Sequence, residues 1–301
     1  MTNDLKLQFL CQNLECEYTA DAPLKDYTTF RIGGPADCLI EPYDEGQVAK
    51  VVEFCQKSGI RYQFLGNGSN VLAPDGGVRG AVIRLGPNFS YIRRLSGGEI
   101  LCGAGATLAQ LASFAQKQGL TGLEFAWGIP GSMGGALYMN AGAYGGEMKD
   151  AVVSADIVDE AGRTRNVPAA EMELGYRTSV FQHRNWCITR VHLRLREGDP
   201  EQIRRCMEDY MDRRREKQPL EYPSAGSVFK RPEGNYAGAL IEQCGLKGRR
   251  VGGAQVSEKH AGFIVNTGGA TCRDVLELIG QIQREVADQT GYQLICEVRQ
   301  L

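Results

Sequence analysis

"GIPGSMGGALYMNAGAYGGE" runs from Gly128 to Glu147. Seven of its twenty residues are glycine, yet Ile129, Met133, Leu137, Tyr138 and Met139 stand among them. A flexible linker would hold glycine and serine with few apolar side chains. Glycine at this density also disfavours a helix. A residue without Cβ serves where backbone must approach a ligand or another backbone closely. The apolar neighbours point to a large, partly flat ligand; buried turns packed for structural reasons are the competing reading. "PGSMGG" approaches the Gly-x-Ser-x-Gly elbow of serine hydrolases. The glycine falls directly before Ser132, however, so a nucleophilic serine is not expected there.

Upstream, "LGNGSNVL" follows the short strand "RYQFL". Gly66, Asn67, Gly68, Ser69 and Asn70 permit positive φ, which lets successive N–H groups form an anion-binding nest. A tight hairpin turn is the other reading of Asn-Gly. Val71 stands where a third glycine of G-x-G-x-x-G would fall, and no Gly-Lys-Ser/Thr follows, so neither standard nucleotide motif is present. Two glycine-rich segments of different design favour a large, partly charged cofactor.

Around these segments the pattern mixes helices and strands. Val48, Val51, Val52 and Cys55 recur at helical spacing between Asp44 and Gly59. Thr107 heads a helix with Leu108, Leu111, Ala112 and Ala115 on one face. "CITRVHLRL" and "HAGFIVN" read as strands, as does the terminal "QLICEVRQL". Thr271 and Asp274 stand at capping-box spacing before the stripe Val275, Leu278, Ile279, Ile282 and Val286. The polar break "REGDP" sets an expected boundary, giving domains 1–198 and 199–301. The class is α+β or mixed α/β.

Composition narrows the function. Hydrophobic residues make up 43% and charged residues 23%, as in folded soluble proteins. The net charge of −2 argues against a general nucleic-acid partner, and no apolar run approaches a membrane span. The start "MTNDLKLQFLCQNLEC" lacks the marks of a signal peptide, so a cytoplasmic location is expected. Ten cysteines without a C-x-x-C pair read as free thiols of a reducing compartment. With three histidines and no H-E-x-x-H, no metal is expected. The basic run Arg213–Lys217 closes a helix, where cations suit the dipole. Arg177 in "GYRTS", Ser227 in "SAGSVFK" and Glu297 in "CEVRQL" would not be chosen as catalytic from spacing; alternation puts Glu297 toward solvent.

Taken together, "TTFRIGGPAD", "LGNGSNVL", "GIPGSMGGALYMNAGAYGGE", "GYRTSVF", "RREKQP", "SAGSVFKRP", "AGALIEQCGLKGRRVGGAQVSEKHAGFIVN" and "EVR" resemble UDP-N-acetylenolpyruvoylglucosamine reductases. They occur in the family's order from about Tyr27 to Arg299. The length resembles the shorter branch, which lacks a substrate-lid loop. Arg231 and Cys296 depart from the family, where Asn and Pro are common.

The resemblance implies a vanillyl-alcohol-oxidase-type (PCMH-type) FAD-binding fold of two α+β subdomains, about 1–87 and 88–198, followed by a C-terminal α+β substrate-binding domain at 199–301. It implies non-covalent FAD, with Gly66, Asn67, Gly68, Ser69 and Asn70 on the pyrophosphate. Pro130, Gly131, Gly134, Gly135, Gly142 and Ala143 would line the cofactor, with Ile188 near the flavin ring. It implies that NADPH reduces FAD and that the enolpyruvyl ether of UDP-N-acetylglucosamine is reduced in turn to UDP-N-acetylmuramate, for peptidoglycan synthesis. Arg177 and a protonated Glu297 would stabilise the enolate, and Ser227 would be the general acid. Tyr176, Arg214, Lys217, Lys247 and His260 would meet the UDP-sugar. The partners implied are these small molecules, with no nucleic acid or membrane, and a monomer is expected. A flavin oxidase of the same fold and a non-catalytic flavin-binding module are the competing functions. "GNGSN" offers no His or Cys for covalent flavin, and a module would not need Arg177, Ser227 and Glu297 together.

Overall fold

A computed structural model describes residues 3–301. Its α-helices are α1 (Asn3–Leu14), α2 (Glu45–Ser58), α3 (Leu108–Lys117), α4 (Met133–Tyr138), α5 (Pro200–Lys217), α6 (Ala237–Gln243) and α7 (Cys272–Thr290). Short-range chemistry sets their ends. Asp44 accepts the Gln47 N–H at 2.8 Å to start α2, and Gly59 ends it at φ 62°. Thr107 with Gln110, and Thr271 with Asp274, complete capping boxes at α3 and α7.

One helix contradicts the reading of the glycine-rich stretch as non-helical. α4 contains Gly134 and Gly135. Its support comes from elsewhere in the chain: Met133 N–H donates to Ala106 O at 2.8 Å, and Gly134 N–H to Ala104 O at 2.9 Å. A Cβ at Gly134 would lie 3.0 Å from Ala104 Cβ, so glycine allows this approach. Buried Met133, Ala136 and Leu137 anchor the other face.

The chain forms two compact units. The first gathers the chain up to Asp21, with Asp37–Asn67 and Arg79–Arg213; the second gathers Ala22–Ala36, Gly68–Val78 and Arg214–Leu301. The first is built largely on two sheets. One orders Glu17–Pro23, Pro35–Glu41, Val78–Arg84 and Tyr62–Leu65. The other is antiparallel and orders Thr164–Pro168, Val152–Val158, Cys187–Arg194, Glu99–Gly103 and Ile92–Arg94. The second unit has an antiparallel sheet ordering Ser224–Ser227, Phe263–Asn266, Ala254–Val256 and Arg250–Val251, with α6 and α7.

This division differs from a single cut at 198/199, and packing explains why. Arg196–Glu197 pairs with Leu120–Thr121, and Ile203 and Met207 of α5 join the first core. Phe30, Ile32 and Leu72, far upstream, pack in the second core with Leu278 and Ile282. The terminal strand is also shorter than expected. Only Arg299–Gln300 pairs regularly, parallel to Val71–Leu72. Before it, Lys230 N–H donates to Ile295 O at 2.8 Å and Glu297 N–H to Val228 O at 2.7 Å. No helix of the described residues is long and apolar enough to cross a membrane. Among those residues, no group of three or more His, Cys, Asp or Glu is placed to hold a metal, and the ten cysteines are free thiols.

Candidate active site

The loop Gly66–Asn70 follows the strand Tyr62–Leu65. Gly68 sits at φ 59°, and a Cβ there would collide with Tyr27 O. The loop is therefore fixed in a form that a larger residue disfavours. Among the described residues, no acceptor meets the N–H of Gly66, Asn67, Gly68, Ser69 or Asn70. Unmet donors in succession are costly unless water or an anion satisfies them. A Cβ at Gly66 would run into Ser132 Oγ, so this loop and the glycine-rich stretch meet.

Within that stretch Ser132 is 1% exposed and accepts the Gly135 N–H at 3.4 Å, as the N-cap of α4. Pro130 and Gly135 are exposed; Gly131 is buried, its carbonyl accepting from Leu108 N–H at 3.0 Å. Gly142–Ala143 pairs with Gly146–Glu147 in a two-residue hairpin. Tyr144 at its tip stacks on Tyr210, with ring centroids 4.4 Å apart, and its hydroxyl donates to Tyr210 O at 3.0 Å. Ile188 pairs with Ile157 in the five-stranded sheet and is 7% exposed.

Arg177 belongs to the same unit. It lies at φ 54° in a turn closed by a Gly175–Thr178 bridge. Its Nη2 donates to Gly142 O at 2.8 Å, and its guanidinium lies 5.2 Å from the ring of Tyr176, itself 51% exposed. Sequence reasoning passed over Asn140, which is fully buried and joins the glycine-rich stretch to this turn.

The second unit holds the other candidates. Ser227 ends the strand Ser224–Ser227, and its Oγ donates to Phe229 O at 3.2 Å. The segment bearing Glu297 runs alongside through the Val228 carbonyl, and Asn70 Nδ2 donates to Glu297 O at 3.2 Å. Glu297 is half-buried, not solvent-facing as alternation implied, because this segment lies along 228–230 instead of forming a regular strand. A Cβ at Gly262 would lie 3.0 Å from His260 Cε1 and 3.5 Å from Ser227 Oγ, so histidine and serine flank the same glycine. His260 Nδ1 accepts the Gly262 N–H at 3.1 Å, which assigns the ring proton to Nε2. Burial, and to a lesser degree the charge of Lys247, holds the His260 pKa below the usual histidine value. Lys247 pairs with Glu242 at 2.6 Å. On the last turn of α5, Arg214 is half-buried and Lys217 exposed. Arg231 stacks 4.0 Å over Tyr236. Cys296 sits in the bridge to Phe229, whose hydrogen bonds come from neighbouring residues, so this position makes no demand for an N–H.

Comparison with known proteins bears on both units. An FAD binding domain model matches residues 36–167, and a UDP-N-acetylenolpyruvoylglucosamine reductase C-terminal domain model matches 218–301. The reductase of Clostridium perfringens strain 13 is 44% identical, covering 95% of this chain and 93% of that protein. That of Heliobacterium modesticaldum is 48% identical over 94% of this chain and 90% of its own length. The chain belongs to the UDP-N-acetylenolpyruvoylglucosamine reductase family. The crystal structure of the Thermus caldophilus reductase superposes with a TM-score of 0.81 at 39% identity, covering 95% of this chain and 98% of that one. The expected α+β fold, with an FAD-binding domain and the family's C-terminal domain, is therefore borne out, and the protein is an FAD-dependent oxidoreductase. The FAD-binding match contains Gly66–Asn70 and the glycine-rich stretch; the reductase match contains Ser227, Lys247, His260 and Glu297. Arg177, Ile188, Arg214 and Lys217 fall between the two matches.

Proposed function

We propose that this reductase-family protein converts the enolpyruvyl ether of UDP-N-acetylglucosamine to UDP-N-acetylmuramate, with NADPH as electron source, in the cytoplasm. The observation that carries the reading is Ser227 beside the Glu297 segment, joined through the Val228 carbonyl at 2.7 Å, within the stretch matching the reductase C-terminal domain. The ten free thiols suit a reducing compartment.

The residues fit FAD, because five successive N–H groups without acceptors suit its diphosphate. Gly66–Asn70 would hold that diphosphate non-covalently, with Pro130, Gly131, Gly134, Gly135, Gly142, Ala143 and Ile188 along the rest. When bound, FAD supplies reversible two-electron hydride chemistry. The chain's own residues then manage charge and proton. Hydride arriving at the vinyl terminal carbon leaves negative charge spread into the substrate carboxylate. Arg177 offers fixed cationic donors to that charge, and Glu297 a hydrogen bond from its acid form; such stabilisation counts most in the transition state. Ser227 Oγ gives its proton to the adjacent carbon. The long contact of that hydroxyl to Phe229 O, 3.2 Å, leaves the proton available to a strong carbon base. Tyr176, Arg214, Lys217, Lys247 and the Nε2–H of His260 are assigned to the UDP-sugar.

Ser227→Ala separates the two half-reactions. Flavin bleaching by NADPH should stay near the wild-type rate, while substrate reduction falls by roughly 10²- to 10⁴-fold, the usual range for a lost general acid. Stopped-flow absorbance follows both. Equal loss in the two halves contradicts the acid role.

A further inference from the structure

The turn bearing Arg177 is tied to residues 138–142 at several points. Ser179 Oγ and Gln182 Nε2 donate to Tyr138 O at 2.6 and 3.0 Å, and Gln182 Nε2 also reaches Arg177 O at 3.0 Å. Arg177 Nη2 closes the circuit on Gly142 O at 2.8 Å. Asn140 lies between these ties, 0% exposed. Its Nδ2 donates to Gly175 O at 2.9 Å and to Glu147 Oε2 at 2.6 Å, and its Oδ1 accepts the Lys149 N–H at 2.9 Å. Glu147 is itself paired with Lys149 Nζ at 2.9 Å.

We propose that Asn140 is a positioning residue for the reaction: its buried amide fixes the Arg177 turn to the glycine-rich stretch and so sets where the guanidinium lies. This rests on the reading of Arg177 as the group that meets the substrate carboxylate. The amide is matched to the place. It must donate twice and accept once, which a carboxylate of the same size cannot do. Its backbone is at φ 41°, in the left-handed region that asparagine tolerates better than most residues. With an aspartate there, acceptors would face the Gly175 carbonyl and the Glu147 carboxylate without a hydrogen between them. Arg177 is also at positive φ, so its turn is a conformation that surrounding contacts must hold.

Two variants of the FAD-loaded protein test this. Asn140→Asp keeps the volume and removes the donors. Asn140→Gly keeps the left-handed backbone and removes the whole side chain without burying a charge, which guards against failure to fold. Both should lower turnover on the enolpyruvyl substrate by roughly tenfold to a hundredfold, as misplacement of a reacting group by about an ångström does. FAD content and flavin reduction by NADPH should stay at wild-type levels. Combined with Arg177→Ala, the Asn140 change should cost nothing further, because the group it positions is gone. Additive losses in the double variant would overturn the proposal. So would a crystal structure of Asn140→Gly in which Arg177 still meets Gly142 O. That crystallographic contact reads positioning directly, whereas Arg177→Ala alone reads the role of Arg177, so the two ideas fail separately.

Discussion

His260 ties local chemistry to a measurable pH dependence. Its ring is packed against Gly262 and accepts that residue's N–H, and burial lowers its pKa from the usual 6.5. The unfolded chain therefore binds a proton in a pH window where the folded chain does not. Stability from this group is complete above about pH 6.5 and is lost as pH falls below it toward the folded value. His260→Asn should flatten the fall in denaturation midpoint between neutral and mildly acidic pH; parallel curves for the two proteins would contradict the assignment. Little of this site was legible residue by residue. Ser227 sits in an ordinary turn-rich segment and Glu297 on an alternating one, and neither pattern says that Val228 O joins their backbones. Asn140 gave no local signal either, since its partner Gly175 lies 35 residues further along the chain. The resemblance of motifs, not periodicity, singled out Arg177, Ser227 and Glu297.

At the scale of elements, what could be read was what is decided within a few residues. The Thr107 N-cap of α3 and the capping box of α7 lie wholly inside their own sequence neighbourhoods, and both form. Thr271 accepts the Asp274 N–H at 3.0 Å, so Thr271→Ala should cost about 1 kcal/mol, the typical worth of an N-cap. Urea unfolding checks this, and a loss near zero would mean that tertiary contacts alone hold the start of α7. α4 was missed because its support is non-local: the carbonyls of Ala104 and Ala106 accept from its first turn. The terminal strand was overestimated for the same reason. Alternation spoke for nine residues, but regular pairing begins only at Arg299.

For the whole molecule, mixed periodicity narrowed the class to α+β or mixed α/β and the resemblance of motifs to α+β, while the division into units needed contacts. Segments 22–36 and 68–78 join the C-terminal third because Phe30, Ile32 and Leu72 find their apolar partners there. The loop Gly66–Asn70 lies where the chain passes from one unit to the other. Its five unmet N–H groups, and the Glu297 N–H bonded to Val228 O next to Ser227, are what the proposed flavoenzyme reading rests on. The most direct test is an anaerobic single turnover. The FAD-loaded protein is reduced with one equivalent of NADPH and mixed with UDP-N-acetylglucosamine enolpyruvate, and flavin absorbance and product are followed together. The account predicts that the flavin reoxidises without oxygen, yielding one UDP-N-acetylmuramate per flavin. Reoxidation by oxygen alone, with no response to that substrate, would contradict it.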